Sequence, residues 1–180
     1  MTFNLSEHIY NFRGTITFLD YFFYVLAEYS SIFFILSFSI VIGVEVFKNK
    51  GLAFKVLSYC FVILSTFITN QILRRLVQRE RPFVVNQFDS LIEHSASYSF
   101  PSNHAAMSFI VALTIYRLNP KIGKYFLFLA GFVSLSRVYV GVHYPSDIIA
   151  GALLALAIFK LFELFLLQHK KSQLGGGFND

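Results

Sequence analysis

Two histidines, an aspartate and three arginines fall in three short clusters along this chain. They are Arg74-x6-Arg81-Pro82, Pro101-Ser102-Asn103-His104 and Ser136-Arg137-x5-His143-x3-Asp147. Arginine presents a planar fork of donors that matches phosphate oxygens. Histidine attacks or moves protons, and a carboxylate nearby can fix which ring nitrogen is free. The inventory suits transfer of a phosphoryl group. Each cluster stands at the end of an apolar segment, which puts that chemistry at a membrane surface.

Taken singly, each cluster has a plainer reading. Arg74 and Arg81 are two helical turns apart and share a face if the helix runs that far. Pro82 stops such a helix and biases Arg81 away from helical geometry. Alone, the pair also reads as a basic patch against lipid headgroups. Pro101 and Ser102 are helix-start residues, and free N–H groups there bind anions. His104 would stand beside that anion, or be a surface histidine behind an ordinary cap. Ser136 and Arg137 close one helix, while His143, Pro145 and Asp147 open the next. That group also reads as a cap with a solvated histidine. The plain readings require three coincidences on one membrane face, and the joint reading requires none.

The elements that carry these residues are helices. The chain has 180 residues, room for one domain, here 1–172 with a flexible glycine-rich tail at 173–180. It is 56% hydrophobic, with a mean hydropathy of +0.60. A soluble domain of this size lacks the interior to hide so much apolar surface. The expected fold is an all-α integral membrane bundle of five to six transmembrane helices, with an N-terminal interfacial helix over 5–13. Apolar segments at 24–47 (starting as early as Thr17), 52–79, 103–118, 122–141 and 145–168 are the candidates. Residues 82–100 form the long loop between them. Residues 1–20 carry Glu7, Arg13 and Asp20 and do not read as a cleavable signal.

The charge is +5, but the cations sit in short loops and form no stripe on a soluble face, which argues against nucleic acid. Lys48, Lys50, Lys55, Arg117, Lys121, Lys124, Lys170 and Lys171 fall on one set of loops, the cytoplasmic one by the positive-inside tendency. All three clusters then share the extracytoplasmic side, with the N-terminus outside. Cys60 lies in an apolar run and is expected to be a buried structural thiol. His8, His94 and His169 read as surface groups. Glu28 sits at the interface or pairs with a loop arginine. Asn70 and Gln71 are expected to hydrogen-bond between helices.

The three clusters, in this order, resemble the signature of the type 2 phosphatidic acid phosphatase family: Lys-x6-Arg-Pro, Pro-Ser-Gly-His and Ser-Arg-x5-His-x3-Asp. The resemblance covers residues 74–147 directly. It departs at Arg74, where lysine is usual, and at Asn103, where glycine is usual. It implies a membrane lipid phosphatase in which His143 is the nucleophile and forms a phosphohistidine. Asp147 would orient His143, and His104 would protonate the leaving group. Arg74, Arg81, Ser102, Asn103 and Arg137 would hold the phosphoryl oxygens. It implies no metal and no cofactor. The implied partners are the bilayer and a phospholipid or polyprenyl diphosphate substrate, undecaprenyl diphosphate first. Lipid A 1-phosphate and phosphatidylglycerol phosphate stand close behind. The implied place is a bacterial inner membrane, with the site facing the periplasm or cell exterior. A lipid-binding or transport protein is the rival from another class.

Overall fold

The computed structural model describes residues 14–48 and 53–175, with side chains over 14–48 and 56–168. All regular structure among them is helical: α1 Thr17–Lys48, α2 Ala53–Val77, α3 Pro82–Val85, α4 Asn103–Leu118, α5 Pro120–Tyr139 and α6 Pro145–Gly175. Three stretches, Thr17–Lys48, Val56–Val85 and Pro145–Gln168, are long and apolar enough to cross a membrane. Their outward faces carry residues such as Phe18 (77% exposed), Phe47 (89%), Phe61, Leu161 and Phe165. Bare apolar surface on this scale fits a lipid environment.

The short helix α4 is the hub. It packs on α1, α2, α5 and α6, and Ala105, Ala106, Ile110, Ala112 and Ile115 are fully buried. A helix enclosed by others needs no continuous lipid-facing length, which explains its 16 residues. Small residues there let neighbouring backbones come close. Asn119 joins α4 to α5 alone. Its backbone N–H donates to Ile115 O at 2.7 Å, and its side chain accepts from Ile122 N at 3.3 Å. One residue thus closes one helix and caps the next. Gly123 packs so tightly on this hairpin that a Cβ there would lie 2.1 Å from Tyr116 Cα.

Several expectations shift. The first helix begins at Thr17, the earliest start considered. The second stops at Val77, because Gln78 turns left-handed at φ 51°. Arg81 is therefore in extended backbone at φ −76° and ψ 153°, not on a shared helical face with Arg74. The long loop opens with the single turn of α3. The last helix continues past 168 to Gly175. Cys60 is exposed, not buried. Asn70 is fully buried, yet neither amide atom meets a hydrogen-bond partner. The predicted interfacial helix at 5–13 lies outside the described residues.

Candidate active site

The site forms where α2 ends, α4 begins, α5 ends and α6 begins. α1 starts at the same end, tied there by Tyr139 Oη donating to Asp20 Oδ1 at 2.6 Å. Lys48, Arg117, Lys121 and Lys124 follow from the helix ends opposite. The three clusters therefore do meet on one face of the bundle.

His143 occupies the turn between α5 and α6 and is 2% exposed. Its Nε2 lies 3.3 Å from Arg81 Nη1. Its Nδ1 lies 3.4 Å from Asp147 Oδ2, too long for a tight hydrogen bond. The ring is thus strung between a guanidinium and a carboxylate. Burial pushes its pKa down to about 3, with Arg81 and Arg137 adding to the fall and Asp147 opposing it. The imidazole is neutral at physiological pH, as a nucleophile must be.

Asp147 is fully buried. Its Oδ2 accepts from Tyr144 N at 2.9 Å, and its backbone carbonyl accepts from Ser102 N at 3.0 Å. Its Oδ1 takes a 2.9 Å ion pair from Arg79. Arg79 also donates to Ser146 Oγ at 2.6 Å and lies 3.9 Å over the Tyr144 ring. Sequence reasoning passed over Arg79 as a spacer; the signal was a third cation two residues before Arg81.

Arg81 and Arg137 are 1% and 2% exposed. Arg81 donates to Val142 O at 2.8 Å and to Ser97 Oγ at 3.2 Å. Arg137 donates to Ala27 O at 2.8 Å, which braces the site on α1. The Nε atom of each is buried with no protein partner. Buried guanidinium donors of this kind need an acceptor, and phosphate oxygens supply one. Arg74 instead donates to Tyr98 O and Ser97 Oγ, so it holds the loop.

Ser102 caps α4, its Oγ facing Ala105 N at 3.5 Å. Asn103 and His104 follow in the first turn, and Asn103 Oδ1 is buried without a partner. Burial pushes the His104 pKa down to about 2, with the charges of Arg137, His143, His94 and Arg81 adding to the fall. From Asn103 and His104 an apolar groove of about 470 Å³ runs down between α1, α2 and α4. Phe34, Ile63, Leu64, Met107 and Val111 line it, with Cys60. Among the described residues no three His, Cys, Asp or Glu side chains are grouped to hold a metal ion.

Residues 55–171 match the PAP2 superfamily. The chain belongs to it. It is 34% identical over 134 residues to the bacitracin transport permease protein BcrC of Bacillus licheniformis, covering 74% of this chain and 64% of that one. It is 26% identical over 165 residues to the undecaprenyl-diphosphatase BcrC of Bacillus subtilis, covering 92% and 84%. The transmembrane PAP2-type phosphatidylglycerolphosphate phosphatase of Bacillus subtilis superposes with a TM-score of 0.71 at 26% identity, over 91% of this chain and 83% of that one. LpxE of Aquifex aeolicus gives 0.70 at 25% identity, over 88% and 92%.

The PAP2 fold explains why the clusters converge despite their separation in sequence. Each begins or ends a helix of one bundle. His94 is the correction here. Expected at the surface, it is half-buried and feels the charges of Arg81, Arg137 and Arg74. Its signal was weak: one histidine in the loop that leads into the second cluster.

Proposed function

We propose that this protein is a membrane lipid phosphatase acting through a phosphohistidine, with undecaprenyl diphosphate as its substrate. The observation that carries the reading is a buried group of Arg81, Arg137 and His143, two of its guanidinium nitrogens without a protein partner, at the end of the bundle where an apolar groove starts. His143 Nε2 lies 3.3 Å from the Arg81 guanidinium, and His104 and Asn103 form the groove's upper end. The polar head of a lipid meets the former, and its tail lies in the latter.

His143 Nε2 attacks the terminal phosphorus as the bond to the leaving oxygen breaks. Arg81, Arg137 and the amides at the start of α4 take up the charge on the phosphoryl oxygens. Asp147 holds Nδ1–H and balances the positive ring. A lipid-phosphate leaving group departs as an anion without a proton, whereas an alcohol leaving group takes one from His104, which the negative charge of the substrate helps to protonate. Water, giving a proton to His104, then attacks phosphorus, the P–N bond breaks and phosphate departs.

The relatives support a diphosphate substrate in that one is an undecaprenyl-diphosphatase over most of its length. Lipid A 1-phosphatases and a phosphatidylglycerophosphatase B are also among them. Lipid A 1-phosphate and phosphatidylglycerol phosphate are therefore the competing substrates. The positive-inside charge pattern supports a bacterial inner membrane with the site facing the periplasm or cell exterior.

The test is phosphate release by purified protein in detergent with chelator. Undecaprenyl diphosphate, phosphatidylglycerol phosphate and lipid A are compared, with His143→Ala as control. Release fastest on the diphosphate and lost in His143→Ala is expected. Folded protein that binds lipid but releases no phosphate would make it a transport or binding protein instead.

A further inference from the structure

The buried Arg81 carries an exposed strap on its outer side. Arg81 and His143 are 1% and 2% exposed, while Glu93, Ser95, Ala96, Ser97 and Tyr98, in the loop between α3 and α4, are exposed. The strap is fixed at both ends. Before it, Leu91 N–H donates to Val140 O at 3.1 Å, and Ile92 is buried with Val140 and Val142. After it, the buried Ser99 donates from its N–H to Arg79 O at 2.7 Å and from its Oγ to Arg79 O and Glu80 O at 3.2 Å. Between those ends two arginines hold it. Arg81 Nη2 donates to Ser97 Oγ at 3.2 Å. Arg74 Nη2 donates to the same oxygen at 3.4 Å and to Tyr98 O.

Two guanidinium groups thus converge on one neutral hydroxyl. Neither makes an ion pair with a carboxylate among the described residues. Both bonds to Ser97 are longer than the about 2.7–2.9 Å of an arginine donating to an anion. A phosphate oxygen serves the same donors better, because its charge offsets the repulsion between them. The guanidinium that holds Ser97 also sets Nη1 3.3 Å from His143 Nε2. One side chain therefore spans the reactive ring and the strap.

We propose that residues 93–98 form a lid latched by Ser97, whose hydroxyl holds the place of a phosphate oxygen between Arg74 and Arg81, and that a phosphate headgroup opens the lid by displacing it. This rests on the reading of this end of the bundle as a phosphoryl site. With the latch closed, Ser97 satisfies the arginines and His143 is kept from solvent. A phosphate oxygen takes both donors, and the strap loses what holds it between its fixed ends. The same exchange accounts for Arg74, expected to bind phosphate yet bonded to the loop.

The experiment uses the full chain in detergent, with inorganic phosphate as inhibitor of farnesyl diphosphate cleavage. Ser97→Ala removes the competing hydroxyl. The inhibition constant for phosphate and the KM for substrate should each fall about fivefold, the size of one lost neutral hydrogen bond. A Ser97 that merely positions the arginines gives the opposite, weaker binding of both. Strap movement is read from a bimane label at Ala96→Cys, with the chain's one cysteine removed by Cys60→Ala. Phosphate should shift the label's emission, farnesol should not, and Ser97→Ala should show the shifted emission without phosphate. An inhibition constant unchanged or raised in Ser97→Ala, a label that inhibiting phosphate does not move, or a label that farnesol moves, each overturns the latch and leaves the phosphatase reading standing. Folded wild-type protein that cleaves no lipid phosphate and gives no label response removes the phosphatase reading and the latch with it.

Discussion

Arg79 and Asp147 form a 2.9 Å ion pair that draws one carboxylate oxygen away from His143. The other oxygen serves His143 and Tyr144 N. Asp147 is fully buried while Arg79 is about a third exposed, so the pair guards the carboxylate from the solvent side. Removing one partner of a buried charge is more harmful than the pair is helpful. Arg79→Ala is expected to lower kcat about tenfold through loss of His143 alignment, with KM changed less than about twofold. Steady-state kinetics on one lipid checks this. An unchanged kcat would mean Asp147 is held well enough without it.

His104 separates the substrates by leaving-group chemistry. A leaving lipid phosphate has a second pKa of about 6 and departs without a proton. A leaving alcohol is far more basic and needs one. His104→Ala should therefore cost about a hundredfold on a monoester and markedly less on a diphosphate. Equal losses would remove His104 from the role of acid.

The three clusters were legible because phosphoryl chemistry restricts residue type and spacing, and each lies within a few residues. The helices were legible from apolar length. Their ends were less so, since the left-handed turn at Gln78 has no strong signal in glutamine. Arg79 was missed because it acts through a folded contact, across 68 residues to Asp147. No short spacing encodes such a partner. Cys60 was misplaced because an apolar run does not reveal which of its faces borders a groove.

Gly151 sets how closely α6 approaches the turn that opens α4. A Cβ there would lie 2.6 Å from Ser102 O and 3.1 Å from Ala106 N, both backbone atoms. The turn cannot yield without moving Ser102, whose N–H is bonded to Asp147 O. Gly151→Ala should cost about 1–3 kcal/mol of stability and reduce activity in the surviving folded protein. Gly131, with open space where its Cβ would go, is the control. Gly131→Ala should stay within about 1 kcal/mol of wild type. Thermal unfolding in detergent distinguishes the two, and equal melting points would contradict the close approach.

Stability should fall in acid through the histidines. Burial pushes His143 down to about 3 and His94 to about 4. In the unfolded chain each returns to about 6.5. Between those limits the unfolded state binds more protons, so stability rises with pH. The contribution is fully present above about 6.5 and is lost as pH falls towards the folded values. The melting temperature should drop between pH 7 and 5, and His143→Gln should flatten part of that drop. An unaltered slope in that variant would show that the ring is charged in the folded protein.

Cys60 tests what the groove is for. It lies on α2, 14 residues before Arg74, hence about 20 Å down the helix from the catalytic end. It is exposed and lines the groove with Ile63, Leu64 and Phe67. A tryptophan there would occupy space that the far part of a long lipid tail needs. Excluding two methylenes costs about 1.6 kcal/mol, or roughly tenfold in affinity. Cys60→Trp should therefore raise KM about tenfold for a long-chain lipid and leave a short-chain analogue within about twofold. Leu161→Trp, on an exposed face of α6, should leave both unchanged. If Cys60→Trp affects the two chain lengths alike, the tail does not run down this groove.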